Sequence, residues 1–140
     1  MTSFTYSARG LSVVTDALGE TVTYAYDDYG NISSITDDAG KVTSLTHDPY
    51  GRRETVTTPD PDDAGALTAS TTTYSYDAYG RIDEITDALA GVTSFTFDGV
   101  GNLLTLTDPE NNTTTWSYDP LNRVTMETNE LNDSRSFLYD

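Results

Sequence analysis

The hydrophobic pattern of the chain has a period of two, interrupted at regular intervals by short polar clusters. The stretch Arg81–Thr86 alternates as a strand, Asp87–Ala90 breaks it, and Gly91–Phe97 alternates again. Period-two alternation of β-branched and aromatic residues predicts strands, and no segment carries the 3.6-residue period of a long helix. The second strand of each unit is two-faced. One face holds Tyr24/Tyr26, Leu45/His47, Tyr74/Tyr76, Phe95/Phe97, Trp116/Tyr118 and Phe137/Tyr139, while Thr, Ser and Ala occupy the other. The first strands contribute Ile32/Ile35, Ile82/Ile85 and Leu103/Leu106. Apolar residues three apart cannot share one face of a flat strand, so a bulge or twist is expected there.

The pattern repeats. An aromatic residue or His followed by Asp recurs as Tyr26-Asp27, His47-Asp48, Tyr76-Asp77, Phe97-Asp98, Tyr118-Asp119 and Tyr139-Asp140. The spacings are 21, 29, 21, 21 and 21 residues, with Tyr6-Ser7 a degenerate earlier copy. The units run 6–26, 26–47, 47–76, 76–97, 97–118 and 118–139, and the long one carries an inserted loop at 59–68. Each unit predicts one β-hairpin, and consecutive hairpins meander into one twisted or coiled antiparallel sheet spanning residues 1–140. The fold class is all-β.

Turn chemistry supports the same division. Asp16, Asp37, Asp87, Asp108 and Asn129 open the hairpin turns, where a short carboxylate or amide bonds backbone amides two residues on. The inter-unit turns end on Gly10, Gly30, Gly51, Gly80, Gly101 and Asn122, and the hairpin turns on Gly19, Gly40, Ala90, Asn111 and Asn132. Gly and Asn visit the left-handed region cheaply. Ala90 departs from this rule, and the following Gly91 is expected to absorb the conformation.

Composition narrows the partners. At 140 residues the chain is long enough for one domain with a core. Seven Lys and Arg against 23 Asp and Glu give a formal charge of −16, which repels nucleic acid and anionic membrane surfaces. There is no Cys, which excludes disulfides and thiolate metal sites. No apolar stretch approaches the ~20 residues of a membrane helix. The first residues have neither a charged nor an apolar signal region, so an export signal is expected outside these residues.

Candidate chemistry is sparse. His47 is the sole histidine and fills an aromatic slot of its repeat, so ring packing is favoured over catalysis or metal binding. Every Ser sits in a repeated slot, unlike the individual setting that a Ser/His/Asp nucleophile needs. Asp60, Asp62 and Asp63 are a candidate Ca²⁺ loop, but they lack the spaced Gly and terminal Glu of an EF-hand. Asn31, Asn111, Asn112 and Asn132 begin formal glycosylation sequons that overlap turns. No cofactor is expected, and no enzyme. The aromatic ladder has two readings, sheet packing and glycan stacking.

The copy from Tyr76 to Asp98 reads YDAYGRIDEITDALAGVTSFTFD, and that from Tyr26 reads YDDYGNISSITDDAGKVTSLTHD. Both resemble the RHS/YD repeat, roughly YDxxGRLxxxTDxxGxxTxxxYD, carried here by Tyr26, Asp27, Gly30, Asp37, Gly40, Asp48, Gly51, Tyr76, Asp77, Gly80, Asp87, Phe97, Asp98, Gly101, Asp108, Tyr118, Asp119, Tyr139 and Asp140. The resemblance implies a segment of a large secreted or cell-surface protein: an Rhs effector, a Tc-toxin shell component, a wall-associated protein or a teneurin. In that family the repeats form a strip that spirals into a hollow shell. The family's C-terminal closing motif is not found in these residues, so an excised or short array is expected.

About 13 strands at ~4.8 Å give a sheet roughly 62 Å wide, which rolled into a ring is ~20 Å across. A ~100-residue cargo, with a radius of gyration near 13 Å, does not fit inside it. The function expected is therefore structural. The partners expected are other YD repeats of the same or neighbouring chains, in a homo-oligomer or larger shell. The alternative is a carbohydrate- or partner-binding adhesion module that uses the aromatic ladder. The exposed ends of such a strip, including Ser134–Tyr139, are expected to pair with further strands.

Overall fold

In a computed structural model, which describes residues 1–62 and 68–140, thirteen β-strands follow one another in chain order within an antiparallel sheet. They are β1 (Ser3–Ser7), β2 (Gly10–Thr15), β3 (Thr21–Tyr26), β4 (Ile32–Thr36), β5 (Val42–His47), β6 (Arg53–Thr58), β7 (Ser70–Tyr76), β8 (Ile82–Thr86), β9 (Val92–Phe97), β10 (Leu103–Thr107), β11 (Thr113–Tyr118), β12 (Val124–Thr128) and β13 (Ser134–Ser136). The described residues contain no helix. The chain divides into two compact units, Met1–Thr73 and Tyr74–Asp140. Strand β13 is shorter than the Ser134–Tyr139 segment expected. Past Ser136 the chain is still held: the Phe137 amide donates to the Thr125 carbonyl at 2.9 Å, and the Tyr139 hydroxyl donates to the Val124 carbonyl.

The turns opened by Asp, and the one opened by Asn129, share one geometry. The Asp N–H donates to the carbonyl four residues on, and the residue at the fourth turn position donates back to the Asp carbonyl. Examples are Asp77 with Arg81 (2.9 Å) and Gly80 with Asp77 (3.0 Å). This is the three-residue hairpin loop that needs a left-handed residue last. That slot holds Gly80 at φ 83° and Asn122 at φ 62°. The expectation for Ala90 is corrected: Ala90 itself adopts φ 65°, and Gly91 does not absorb the strain. Gly91 is small for a different reason. A Cβ there would lie 2.6 Å from Asp87 Oδ2, so the turn carboxylate occupies that space.

A bulge places the three-apart apolar residues on one face. In the first unit Ala25 faces Ser34 but Tyr26 faces Ile32, which leaves Ser33 extra and puts Ile32 and Ile35 together opposite Tyr26 and Tyr24. In the second unit Leu103 faces Phe97 and Thr105 faces Thr96, so Leu104 is the extra residue. Tyr118 against Val124 repeats the device. The opposite face is tied by cross-strand hydroxyl pairs: Thr46–Thr55 and Thr57–Thr71 in the first unit, Thr96–Thr105 and Thr107–Thr113 in the second, at 2.6–2.9 Å.

The expected core is absent: no described residue is fully buried. Within each unit the elements form a single layer, and a sheet without a second layer keeps water on both faces. The aromatic face is half-buried by neighbouring side chains alone. Stability must therefore come from turn closure, ladder hydrogen bonds and same-face packing between adjacent strands.

The left-handed slots give a direct test. Gly80→Val is expected to destabilise the protein by roughly 1–3 kcal/mol, because a β-branched residue is forced to φ > 0. Ala90→Gly is expected to stabilise it by about 1 kcal/mol by relieving the same strain. Val92→Ile, in a strand, should be nearly silent. Denaturant unfolding of the three variants reads all three; equal tolerance at positions 80 and 92 would show a different register.

Candidate functional site

The recurring polar arrangement is the turn carboxylate. One oxygen of the turn Asp accepts backbone N–H groups: Asp77 Oδ1 takes Tyr79 N (2.8 Å) and Arg81 N (3.0 Å), and Asp119 Oδ1 takes Leu121 N (2.8 Å) and Arg123 N (3.0 Å). In six of these turns the other oxygen accepts the side chain four residues on. Arginine does this at Asp48–Arg52 (2.6 Å), Asp77–Arg81 (2.7 Å) and Asp119–Arg123 (2.7 Å). Asparagine does it at Asp27–Asn31 (3.0 Å), Asp98–Asn102 (2.8 Å) and Asp108–Asn112 (2.8 Å). An acidic residue, two free positions, a left-handed residue and then Arg or Asn is thus a closed hydrogen-bonding unit. The partner at the fifth position was not singled out from sequence, although the recurrence of Asn31, Arg52, Arg81, Asn102 and Arg123 after the left-handed slots of the inter-unit turns is the signal for it.

These contacts hold six carboxyls below the usual Asp range. At Asp27 and Asp108 the leading cause is the side-chain amide of Asn31 and of Asn112. At Asp119 it is the backbone N–H of Arg123. At Asp48, Asp77 and Asp98 the largest influence is partial loss of water, which pushes upward. The hydrogen bonds from Arg52, Arg81 and Asn102 together outweigh it.

The repeat tyrosines tie one hairpin to the one before. Tyr26, Tyr118 and Tyr139 donate from their hydroxyls to the carbonyls of Leu11 (2.7 Å), Leu103 (2.8 Å) and Val124 (2.8 Å), in each case fifteen residues back. Arginines from the turns cover rings of the following repeat: Arg81 lies 4.5 Å from the Phe97 centroid and Arg123 4.4 Å from that of Tyr139. Cation–π contacts of this kind suit the planar guanidinium. Arg81 also donates to the Asp98 carbonyl (3.0 Å), and Arg9 to the Asp27 carbonyl, so successive turns on one edge are linked.

His47 takes the tyrosine slot without its bond. Its side chain is 11% exposed, its Nδ1 is buried without a hydrogen-bond partner, and Asp27 Oδ2 lies 3.9 Å away. Arg53 faces it across the ladder.

Of the acidic loop, Asp60 Oδ1 accepts the Asp62 amide at 3.1 Å, and the Asp60 carbonyl accepts Lys41 Nζ at 2.8 Å. Asp63, like residues 64–67 of the inserted 59–68 loop, lies outside the described residues. Among the described residues no three His, Cys, Asp or Glu side chains converge in a metal-binding group. The Asn31 and Asn112 amides of the sequons are engaged by Asp27 and Asp108. The aromatic face of the second unit holds a shallow depression of about 250 Å³ lined by Ile82, Ile85, Phe95 and Phe97, without a polar side chain. Such a surface suits apolar contact better than a sugar, whose hydroxyls need partners.

Two outcomes follow from this geometry. A carboxyl held low in the folded state contributes stability above the unfolded Asp value, about 3.9. That contribution disappears as pH falls through the lower folded values. Stability is therefore expected to be insensitive to these groups above about pH 5 and to fall below about pH 4. Carbon-detected NMR titration should place Asp27 below the ordinary range in the native protein and return it upward in Asn31→Ala. Second, His47→Tyr is expected to stabilise the chain by about 1 kcal/mol, through a hydroxyl bond to the Ile32 carbonyl and removal of the unpaired Nδ1. Thermal unfolding of that variant checks it; no gain would mean that the His ring is better accommodated than its geometry implies.

Comparison with known proteins places this arrangement. No curated protein matches the chain at a significant level. Solved structures do. The crystal structure of TcdB2-TccC3-Cdc42 superposes with a TM-score of 0.65 at 17% identity, over 79% of this chain and 5% of that one. TcdB2-TccC3 gives 0.65 at 18%, over 79% and 6%. The Tc holotoxin pore of Photorhabdus luminescens gives 0.53 at 19%, over 91% and 9%. The chain thus spans less than a tenth of the proteins whose fold it shares. The sequence pattern described as RHS Repeat matches residues 6–41, 26–61, 76–113 and 97–133, most of the chain, and with its turn carboxylates and tyrosine ties this protein belongs to the RHS-repeat family.

Proposed function

We propose that this chain is a structural β-strip, a length of wall from a secreted or surface-exposed assembly, with no catalytic role. The observation that carries the reading is where the polar chemistry is spent. Turn carboxylates, arginines, asparagines and tyrosine hydroxyls are bound to one another or to backbone within and between hairpins. Little is left for a substrate. A wall of this kind gains cooperativity from neighbour-to-neighbour contacts instead of from a central core.

The aromatic face gives the strip a reason to associate. Burying a ring such as Phe95 or Trp116 contributes on the order of 1.5–3 kcal/mol when it is fully covered. The charge of −16 opposes the approach of a second copy. Screening weakens that repulsion as salt rises, because the Debye length shortens from ~10 Å at 0.1 M to ~3 Å at 1 M. Self-association through the aromatic face is therefore expected to strengthen with salt, the reverse of a salt-bridged interface. Sedimentation velocity at low and high salt tests it. A strict monomer at millimolar concentration and high salt would remove self-association from the reading.

A further inference from the structure

The first strand of the sheet is bonded on one side only. β1 has β2 as its sole partner among the described residues, and each of its five residues is exposed. Phe4 and Tyr6 hold the ring positions that Tyr24 and Tyr26 fill in β3. They are 56% and 72% exposed, whereas the β3 rings, with a strand on each side, are half-buried. Edge strands are ordinarily blunted by a charge, a proline, a bulge or shortness. β1 reads Ser-Phe-Thr-Tyr-Ser, without charge or proline. Its register shift against β2 leaves the extra residue, Ser12, on β2, so β1 itself carries no bulge. β13 differs: it is three residues long, and its middle residue is Arg135.

Charge separates the two edge strands as well. Residues 1–15 contain no Asp or Glu, and their one basic side chain, Arg9, is held by Asp28 at 3.0 Å. Residues 124–140 carry Glu127, Glu130, Asp133 and Asp140 against Arg135 alone. Two copies of a chain with a charge of −16 therefore meet with least repulsion at β1. Symmetry then selects how they meet. A meander of thirteen antiparallel strands starts and ends on strands that run the same way. Setting β13 of one copy beside β1 of the next, with the aromatic faces on one side, would make a parallel pair, unlike the pairs within the sheet. Turning a second copy by 180° about the sheet normal at β1 makes an antiparallel pair and keeps both aromatic faces on one side. From this edge we infer that β1 is a self-recognition strand, which pairs with β1 of a second copy about a two-fold axis at Thr5. That register is the one that pairs all five residues: Ser3 with Ser7, Phe4 with Tyr6 and Thr5 with Thr5 of the second copy. It supplies Phe4 and Tyr6 with the cross-strand ring that each lacks. The inference goes beyond association through the aromatic face and does not depend on it.

The test uses the full 140-residue chain, which has no Cys, so a single introduced one reports alone. Thr5→Cys is expected to form a disulfide-linked dimer under mild oxidation, since antiparallel partners stand ~4.5–5.5 Å apart at Cα, within disulfide reach. Arg135→Cys is expected not to. In sedimentation velocity, Thr5→Lys and Thr5→Glu should each weaken the dimer by about tenfold or more, because like charges then meet on the axis. A one-to-one mixture of the two should restore it. Circular dichroism checks that both variants keep the fold; should either lose it, the Thr5→Cys cross-link decides alone. Trp116→Thr, on the aromatic face of the second unit, should leave the dimer unchanged. Loss of association in Trp116→Thr but not in Thr5→Lys would support the face and overturn the edge, so the two readings fail separately. A strict monomer at millimolar concentration, no rescue in the mixture, or cross-linking of Thr5→Cys to Arg135→Cys in place of its own copy would each overturn the inference.

Discussion

The structure depends on one small interaction, the hydrogen-bonded carboxylate that starts most of the turns. At six turns a single Asp side chain gathers backbone amides on one oxygen and the side chain four residues on with the other. Asp48, Asp77 and Asp119 do so with Arg, and Asp27, Asp98 and Asp108 with Asn. That closes a three-residue loop of fixed geometry, and a fixed loop sets the register of the two strands that leave it. Because side chains alternate between faces, a slip of one residue would move the whole aromatic set to the other side. The turn therefore decides which face becomes apolar, although it contributes almost nothing to that face itself.

From the register follows the rest of the cohesion. Bulges at Ser33 and Leu104 bring Ile32 with Ile35, and Leu103 with Leu106, onto the side of the rings. Tyrosine hydroxyls then reach the carbonyl fifteen residues back and tie each hairpin to its predecessor. Arg81 serves three ends at once: it completes the Asp77 turn, bonds the Asp98 carbonyl and lies over Phe97. No described residue is buried to supply the missing stability, so these local ties are what separates an ordered sheet from a string of marginal hairpins. This is also why a structural role is the economical reading for a chain that shares its fold with short stretches of much larger Tc assemblies.

The regularity makes the exceptions informative. Ala90 stands in a left-handed slot that Gly or Asn fills elsewhere, and the chain tolerates it because both flanking turn hydrogen bonds are kept. His47 fills the tyrosine slot with a shorter ring and leaves a nitrogen without a partner. Phe97 gives up the hydroxyl but lies under the Arg81 guanidinium. In a repeat protein each unit is judged against its neighbours, and these three positions are where one unit is weaker than its copies.

Much of this was legible in the amino-acid sequence, and the reason is locality. Turn positions, strand boundaries and the sidedness of the rings depend on residues within about five positions of one another, and a 21-residue period repeats the evidence several times over. The need for a bulge could be read from Ile32 and Ile35, because a two-residue period forbids their sharing a face. Other features depend on which atoms meet in space, and those were decided by the tertiary structure. The sequence suggested a chain long enough for a core, whereas the single-layer units bury no described residue. It pointed to Gly91 as the strained position, whereas Ala90 takes the left-handed conformation and Gly91 makes room for the Asp87 carboxylate. The acceptors fifteen residues back and the openness of Phe4 and Tyr6 are likewise invisible in a linear pattern. An alternation of residue types states which side of a strand a ring is on, but not how far it reaches or what covers it.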